Sequence, residues 1–125
     1  MEFKIDTKPN YTIITPVANH LDASLTEAIR QKWSDLTQSG SNNLLLDLHN
    51  VLSADENAAE LLSVMHEEWY LSDQSLVFTN LQDAVLTTIR QKDEDGVLNI
   101  APTYEEAIDI ISMEILERDL FSEED

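Results

Sequence analysis

The chain has 125 residues, enough for one domain around a single core and too few for two ordinary ones. It carries 25 acidic and 7 basic side chains, a formal charge of −18, which repels nucleic acid and anionic membranes because neutralising phosphate needs clustered Lys and Arg. The absence of cysteine excludes disulfides, zinc–thiolate sites and a cysteine nucleophile, and a hydrophobic fraction of 42% fits a globular protein.

The first residues, Met1-Glu2-Phe3-Lys4-Ile5-Asp6, contain no long apolar segment, and no stretch approaches a membrane span of ~20 residues. A cytoplasmic protein without membrane insertion is the expectation. Residues 2–6 alternate polar with apolar (Phe3, Ile5), the pattern of a half-buried strand. Lys8-Pro9-Asn10 signals a turn, and the β-branched and aromatic run Tyr11 to Val17 predicts a second strand, so the two form an antiparallel hairpin. Pro16 marks an edge, a bulge or the end of that strand.

Ala18 to Asp22 reads as a loop. Ser24 and Glu27 stand in S-x-x-E spacing, which predicts a capping box for a first helix with Leu25, Ile29, Trp33 and Leu36 on one face. Gly40 stops it, in the left-handed conformation. A buried strand follows at 43–48, with Asp47 inside a leucine run. Ser53 and Glu56 form a second S-x-x-E before a helix that buries Ala58, Leu61, Leu62, Met65 and Trp69. Ser75 to Thr79 is a strand. Asn80 is the expected cap of a third helix with Leu81, Val85, Leu86 and Ile89 inside, and Arg90 and Lys92 suit its C-terminal dipole. Val97 to Ile100 is a short last strand. Thr103 and Glu106 give a third capping box for a helix burying Tyr104, Ala107, Ile108, Ile111 and Ile115. The charged end, with Ser122-Glu123-Glu124-Asp125 frayed, reads as an acidic tail.

The order ββαβαβαβα predicts an α/β fold: one mixed sheet of about five strands with four helices, in a domain over 1–117 followed by a tail over 118–125. His20, His49 and His66 show no metal-ligand spacing and read as scattered surface or strand-end residues; no metal site is expected. Asp93-Glu94-Asp95-Gly96 lacks the acidic first and twelfth positions of a calcium loop and reads as a charged turn. With only Gly40 and Gly96 there is no glycine-rich phosphate loop, and no serine sits in a nucleophile elbow. No cofactor and no enzymatic activity are expected. Glu67 and Glu68 read as a solvated helix face.

The stretch Leu44 to Leu62 runs a buried strand into a polar helix N-terminus. In the order above, with Leu21-Asp22 opening the first helix, Val51 after the strand, Asp55 at the mouth of the second helix, Asn80 after the fourth strand and Thr103-Tyr104-Glu105-Glu106-Ala107 opening the last helix, it resembles the STAS domain family. These are the bacterial anti-sigma factor antagonists and their relatives in stress complexes, anion transporters and lipid-transport machines. The resemblance implies a non-enzymatic signal-transduction module that acts in transcription regulation by binding a serine-kinase-type anti-sigma factor. It leaves a homodimer open.

In the family the aspartate at the mouth of helix two precedes a phosphorylated serine, then Ser or Thr, then Gly. Here Asp55 matches the aspartate, Glu56 stands at the phosphorylated position, and Asn57 and Ala58 replace the other two. The implied partner surface is Asp22, Asp55, Glu56, Asn57 and Asn80. The usual phosphorylation switch cannot operate at Glu56, which brings about one permanent charge where phosphoserine brings about −1.5 to −2. Two roles for Glu56 stand open: a partial phosphoserine mimic, and a cap reaching back to Ser53. Ser53 itself reads as a cap, with a relocated phosphorylation site as the alternative. A constitutive structural subunit of a larger assembly is the second functional reading.

Overall fold

The computed structural model describes residues 2–123. The elements are β1 (Phe3–Thr7), β2 (Thr12–Pro16), β3 (His20–Leu21), α1 (Ala23–Gln38), β4 (Asn43–Asp47), β5 (Ser53–Ala54), α2 (Glu56–Leu71), β6 (Ser75–Thr79), α3 (Asp83–Lys92), β7 (Ile100–Ala101) and α4 (Tyr104–Glu123). Five strands form one mixed sheet in the order β1-β2-β4-β6-β7, with β1 and β2 antiparallel and the other pairs parallel.

The register sorts the apolar residues onto two faces. Ile14, Leu46 and Phe78 stand side by side across β2, β4 and β6, and their neighbours Ile13, Leu45 and Val77 stand side by side with side chains on the reverse face. The first set joins the larger core with Leu25, Ile29 and Trp33 of α1, Leu62, Met65 and Trp69 of α2, and Val85 and Ile89 of α3. The second set packs with Ala101 against Ala107 and Ile111 of α4. Three helices therefore cover one face of the sheet and α4 covers the other. Strands β4 and β6 are buried throughout, which explains their unbroken apolar runs.

The predicted strands at 43–48 and 75–79, the hairpin and all four helices are present. Gly40 takes φ 103° just past α1, as the helix stop requires. Other expectations fail. β1 is an edge strand lying almost entirely in solvent, with Ile5 37% exposed, so its alternation does not mark burial. The last strand is Ile100–Ala101, because Asp93 accepts hydrogen bonds from the backbone N–H groups of Val97 (2.8 Å) and Leu98 (3.2 Å) and holds that segment as a loop. Asp93 is thus a buried loop organiser within the charged turn. β3, read as loop, and β5, read as the capped start of the second helix, form a second two-stranded parallel sheet. Helix α4 continues through the expected boundary at 117 to Glu123, so residues 118–123 of the expected tail are helical. The expected fraying at Glu124 and Asp125 lies outside the described residues.

Candidate functional site

The pairing of β3 with β5 places the starts of α1 and α2 side by side. His20 faces Ser53, Leu21 faces Ala54, and the Asp55 N–H donates to the Leu21 carbonyl at 3.0 Å. Each helix begins on the residue after an aspartate. The Asp22 carboxylate accepts from the Leu25 N–H and the Asp55 carboxylate from the Ala58 N–H, both at 2.8 Å, with Asp22 and Asp55 in extended conformation. A carboxylate there satisfies an otherwise unpaired donor and meets the positive end of the helix dipole.

Aspartates, not serines, therefore cap both helices, and the two predicted S-x-x-E boxes are corrected. The two-stranded sheet holds 20–21 and 53–54 extended, so α1 and α2 cannot begin before 23 and 56. Ser24 then lies inside α1. Ser53 lies in β5, where its hydroxyl meets His20 Nδ1 at 2.8 Å and its N–H donates to the Asn19 carbonyl. The third box survives in half: the Thr103 hydroxyl accepts from the Glu106 N–H at 3.3 Å. Asp55→Ala is expected to destabilise the protein by about 1 kcal/mol through loss of the cap, while Ser53→Ala stays within about 0.5 kcal/mol of wild type. Urea denaturation of both variants checks this; equal effects would remove the assignment of the cap to Asp55.

Glu56 is the first residue of α2 and its side chain is 73% exposed. Its carboxylate lies 3.8 Å from Lys92 Nζ at the end of α3, and Lys92 is 3.3 Å from Glu60, one turn further along α2. The Ser53 N–H, from which a capping Glu56 would accept, donates instead to the Asn19 carbonyl at 3.2 Å. The hydrogen bond to Glu60 and the charges of Glu56 and Glu60 raise the Lys92 pKa. His20 Nε2 stands 3.8 Å from the Asp55 carboxylate. Half-buried Asp22 and Asp55 and exposed Glu56 and Asn57 thus lie at two adjoining helix starts, with His20 beside Asp55 and Lys92 beside Glu56. Neither neighbour is legible as such in the sequence, since both arrive by tertiary contact.

Asn80 departs from its predicted role. α3 begins at Asp83 and has no side-chain cap. Asn80 takes φ 59°, a left-handed conformation that asparagine tolerates, and its Nδ2 donates to Asp47 Oδ1 at 3.3 Å. Asp47 is fully buried at the carboxyl end of β4. Its Oδ1 also accepts from the His49 N–H at 3.0 Å, and its Oδ2 meets His49 Nδ1 at 2.9 Å and the Tyr104 hydroxyl. Burial opposes ionisation of Asp47, but the bonds from Tyr104, His49 and Asn80 together outweigh it and lower its pKa. Burial and the Asp47 carboxylate push the Tyr104 hydroxyl up to about 12. One carboxylate thereby ties together the loop after β4, the turn after β6 and the start of α4.

His66 is likewise not at the surface. It is buried in α2, where its Nε2 accepts from the Asn99 N–H at 3.3 Å, and burial lowers its pKa against the pull of Glu114 and Asp93. Glu68 pairs with Arg30 of α1 at 2.5 Å, so only Glu67 is free helix surface of that pair. Among the described residues no group of three His, Asp or Glu is placed to hold a metal ion, and no helix is long and apolar enough to cross a membrane.

The sequence matches the STAS domain over residues 2–107. Comparison with curated proteins finds no match. Among solved structures, a candidate anti-sigma factor antagonist from Thermotoga maritima superposes with a TM-score of 0.76 at 17% identity, covering 88% of this chain and 94% of its own. A Moorella thermoacetica RsbS variant in which glutamate replaces a serine gives a TM-score of 0.72 at 18% identity, over 94% of this chain and 99% of its own. The anti-sigma factor antagonist SpoIIAA, in its unphosphorylated form, gives 0.68 at 18% identity, over 89% and 96%. At such identities the likeness is one of fold.

Proposed function

The chain belongs to the STAS domain family, and we propose that it works as a non-enzymatic regulatory module of the anti-sigma factor antagonist type. In this reading it binds a serine-kinase-type anti-sigma factor through the start of α2. The observation that carries the proposal is the position of Glu56. A fixed, exposed carboxylate opens α2 where the family carries its phosphorylated serine, and Asp22, Asp55 and Asn57 surround it.

The electrostatic reasoning is direct. Phosphorylation at a helix start adds charge that the helix dipole accepts but that changes what can dock there. Glu56 supplies part of that charge permanently, so the module is held toward its phosphorylated-like, weakly binding form. Glu56→Ser removes the charge and restores a hydroxyl. Binding of kinase-type anti-sigma factors from the same genome is expected to tighten by at least about tenfold, equivalent to 1.4 kcal/mol. Calorimetric titration of wild type and variant measures it. Equal affinities would remove the mimic role.

A second reading has its own supporting observation: the start of α2 is locked. Asp55 caps it, Lys92 faces Glu56, and no hydroxyl stands at the switch position. That suits a constitutive structural subunit of a larger assembly. Co-purification at fixed stoichiometry, unchanged by phosphatase treatment, would favour this reading over the first.

A further inference from the structure

Helix α4 presents a second surface, on the far side of the sheet from α1 and α2. Its inward residues Ala107 and Ile111, with Ile108 and Ile115 beside them, cover Leu45, Val77 and Ala101. Its outward residues have nothing to cover. Met113 is 61% exposed, Leu116 59%, Leu120 53% and Phe121 69%. Met113, Leu116 and Leu120 recur at the spacing of one helical face, so they form a continuous stripe rather than scattered apolar residues. A contiguous apolar patch rimmed by polar side chains marks an interaction surface.

The rim specifies the occupant. Glu106, Asp109 and Glu117 share the outward side of the helix with the stripe, and all three are exposed. The single cation of α4, Arg118, is turned inward, where its guanidinium donates to the Ser75 hydroxyl at 3.0 Å and to Asn43 Oδ1 at 2.9 Å. Among the described residues the outward face therefore offers apolar and negative groups and the Ser112 hydroxyl, and no cation. A second copy would bring the same carboxylates and another −18 charges. An amphipathic helix with an apolar stripe flanked by Lys or Arg complements both features, and helix against helix is a packing such stripes support.

We propose that the outer face of α4 is a second docking surface, which takes a basic amphipathic helix of a partner protein. Because α2 and α4 lie on opposite faces of the sheet, such a helix leaves the start of α2 free. The chain can then bridge two proteins.

The test titrates isotopically labelled protein with a synthetic leucine–lysine peptide of helical periodicity, and with a scrambled peptide of equal composition. Sedimentation of the protein alone runs in parallel. Chemical-shift changes are expected between Asp109 and Phe121 with the periodic peptide. The triple change Met113→Gln, Leu116→Gln and Leu120→Gln should weaken its binding by at least about tenfold, and Glu117→Lys should weaken it as well. These side chains are exposed in the single chain, so the variants keep the fold, and unchanged spectra at residues of the sheet verify that. Shifts spread over the acidic starts of α1 and α2, unchanged affinity of the triple variant, or equal binding of the scrambled peptide would overturn the proposal. So would a self-association that the triple change abolishes, which would assign the face to a second copy.

Discussion

Replacing Asp47 with alanine is expected to destabilise the protein by about 3–5 kcal/mol, the range for removing one partner of a buried charged network. The carboxylate is fully buried and accepts bonds from two backbone or side-chain groups of His49, from Asn80 and from Tyr104. Alanine would remove the acceptor of the His49 N–H, the Asn80 amide and the Tyr104 hydroxyl; His49 is exposed and Asn80 half-buried, so water can replace part of that loss and the lower end of the range is expected. The expected damage is also local: Asn80 loses the bond that supports its left-handed turn, and α4 loses its anchor at Tyr104. Equilibrium unfolding in urea measures the loss, and a change below about 1 kcal/mol would show that the network carries little stability.

The same residue predicts an acid response. Folding lowers the Asp47 pKa, so the folded state favours the ionised form. The stabilisation is fully present above the unfolded value of about 3.9 and is lost as pH falls through the lower folded value. Wild type should therefore lose stability on acidification faster than Asp47→Ala over that window. Parallel slopes for the two proteins would exclude Asp47 as the source.

Trp33→Ala is expected to cost a further class of stabilisation, about 3–5 kcal/mol of packing. Trp33 is 2% exposed on α1 and stacks on Trp69 of α2, with ring centroids 6.1 Å apart and planes 23° from parallel. Its Nε1–H donates to Gln74 Oε1 at 3.1 Å, in the turn between α2 and β6. The buried Trp69 Nε1 has no partner among the described residues, so the polar contribution of the pair rests on Trp33. Truncation leaves a cavity between the two helices whose starts form the proposed docking surface. Trp33→Phe keeps an aromatic ring and loses the bond to Gln74, and it should fall well short of the alanine variant. Urea midpoints of the two variants that coincide would mean that the ring volume is not what matters.

These two residues differ in how far the sequence reveals them. Trp33 falls in step with Leu25, Ile29 and Leu36, and helical periodicity alone puts it inside. Asp47 is visible only as a polar residue interrupting a leucine run. Its partners come from positions 49, 80 and 104, and periodicity along one segment says nothing about which loops converge. Asn80 shows the consequence. Strand-then-asparagine reads as a helix cap, whereas the turn left-hands at Asn80, points the amide at Asp47 and starts α3 three residues later. The capping boxes at Ser24 and Ser53 fail for a related reason. Local spacing fits a serine cap, but the short β3–β5 pairing, formed between segments 33 residues apart, decides where each helix can begin.

The sequence by itself determined the number and type of the main elements, the two buried central strands and the aspartates at both helix starts. Those follow from residue type and periodicity, which act within a few residues of chain. Only the tertiary structure decided that Asp22 and Asp55 are the caps, that Lys92 faces Glu56, that Asp47 gathers His49, Asn80 and Tyr104, and that α4 turns Arg118 inward while leaving Met113, Leu116 and Leu120 outside. Each of those depends on which distant segments the sheet register brings within hydrogen-bond or ion-pair distance, and that is set by packing of the whole chain.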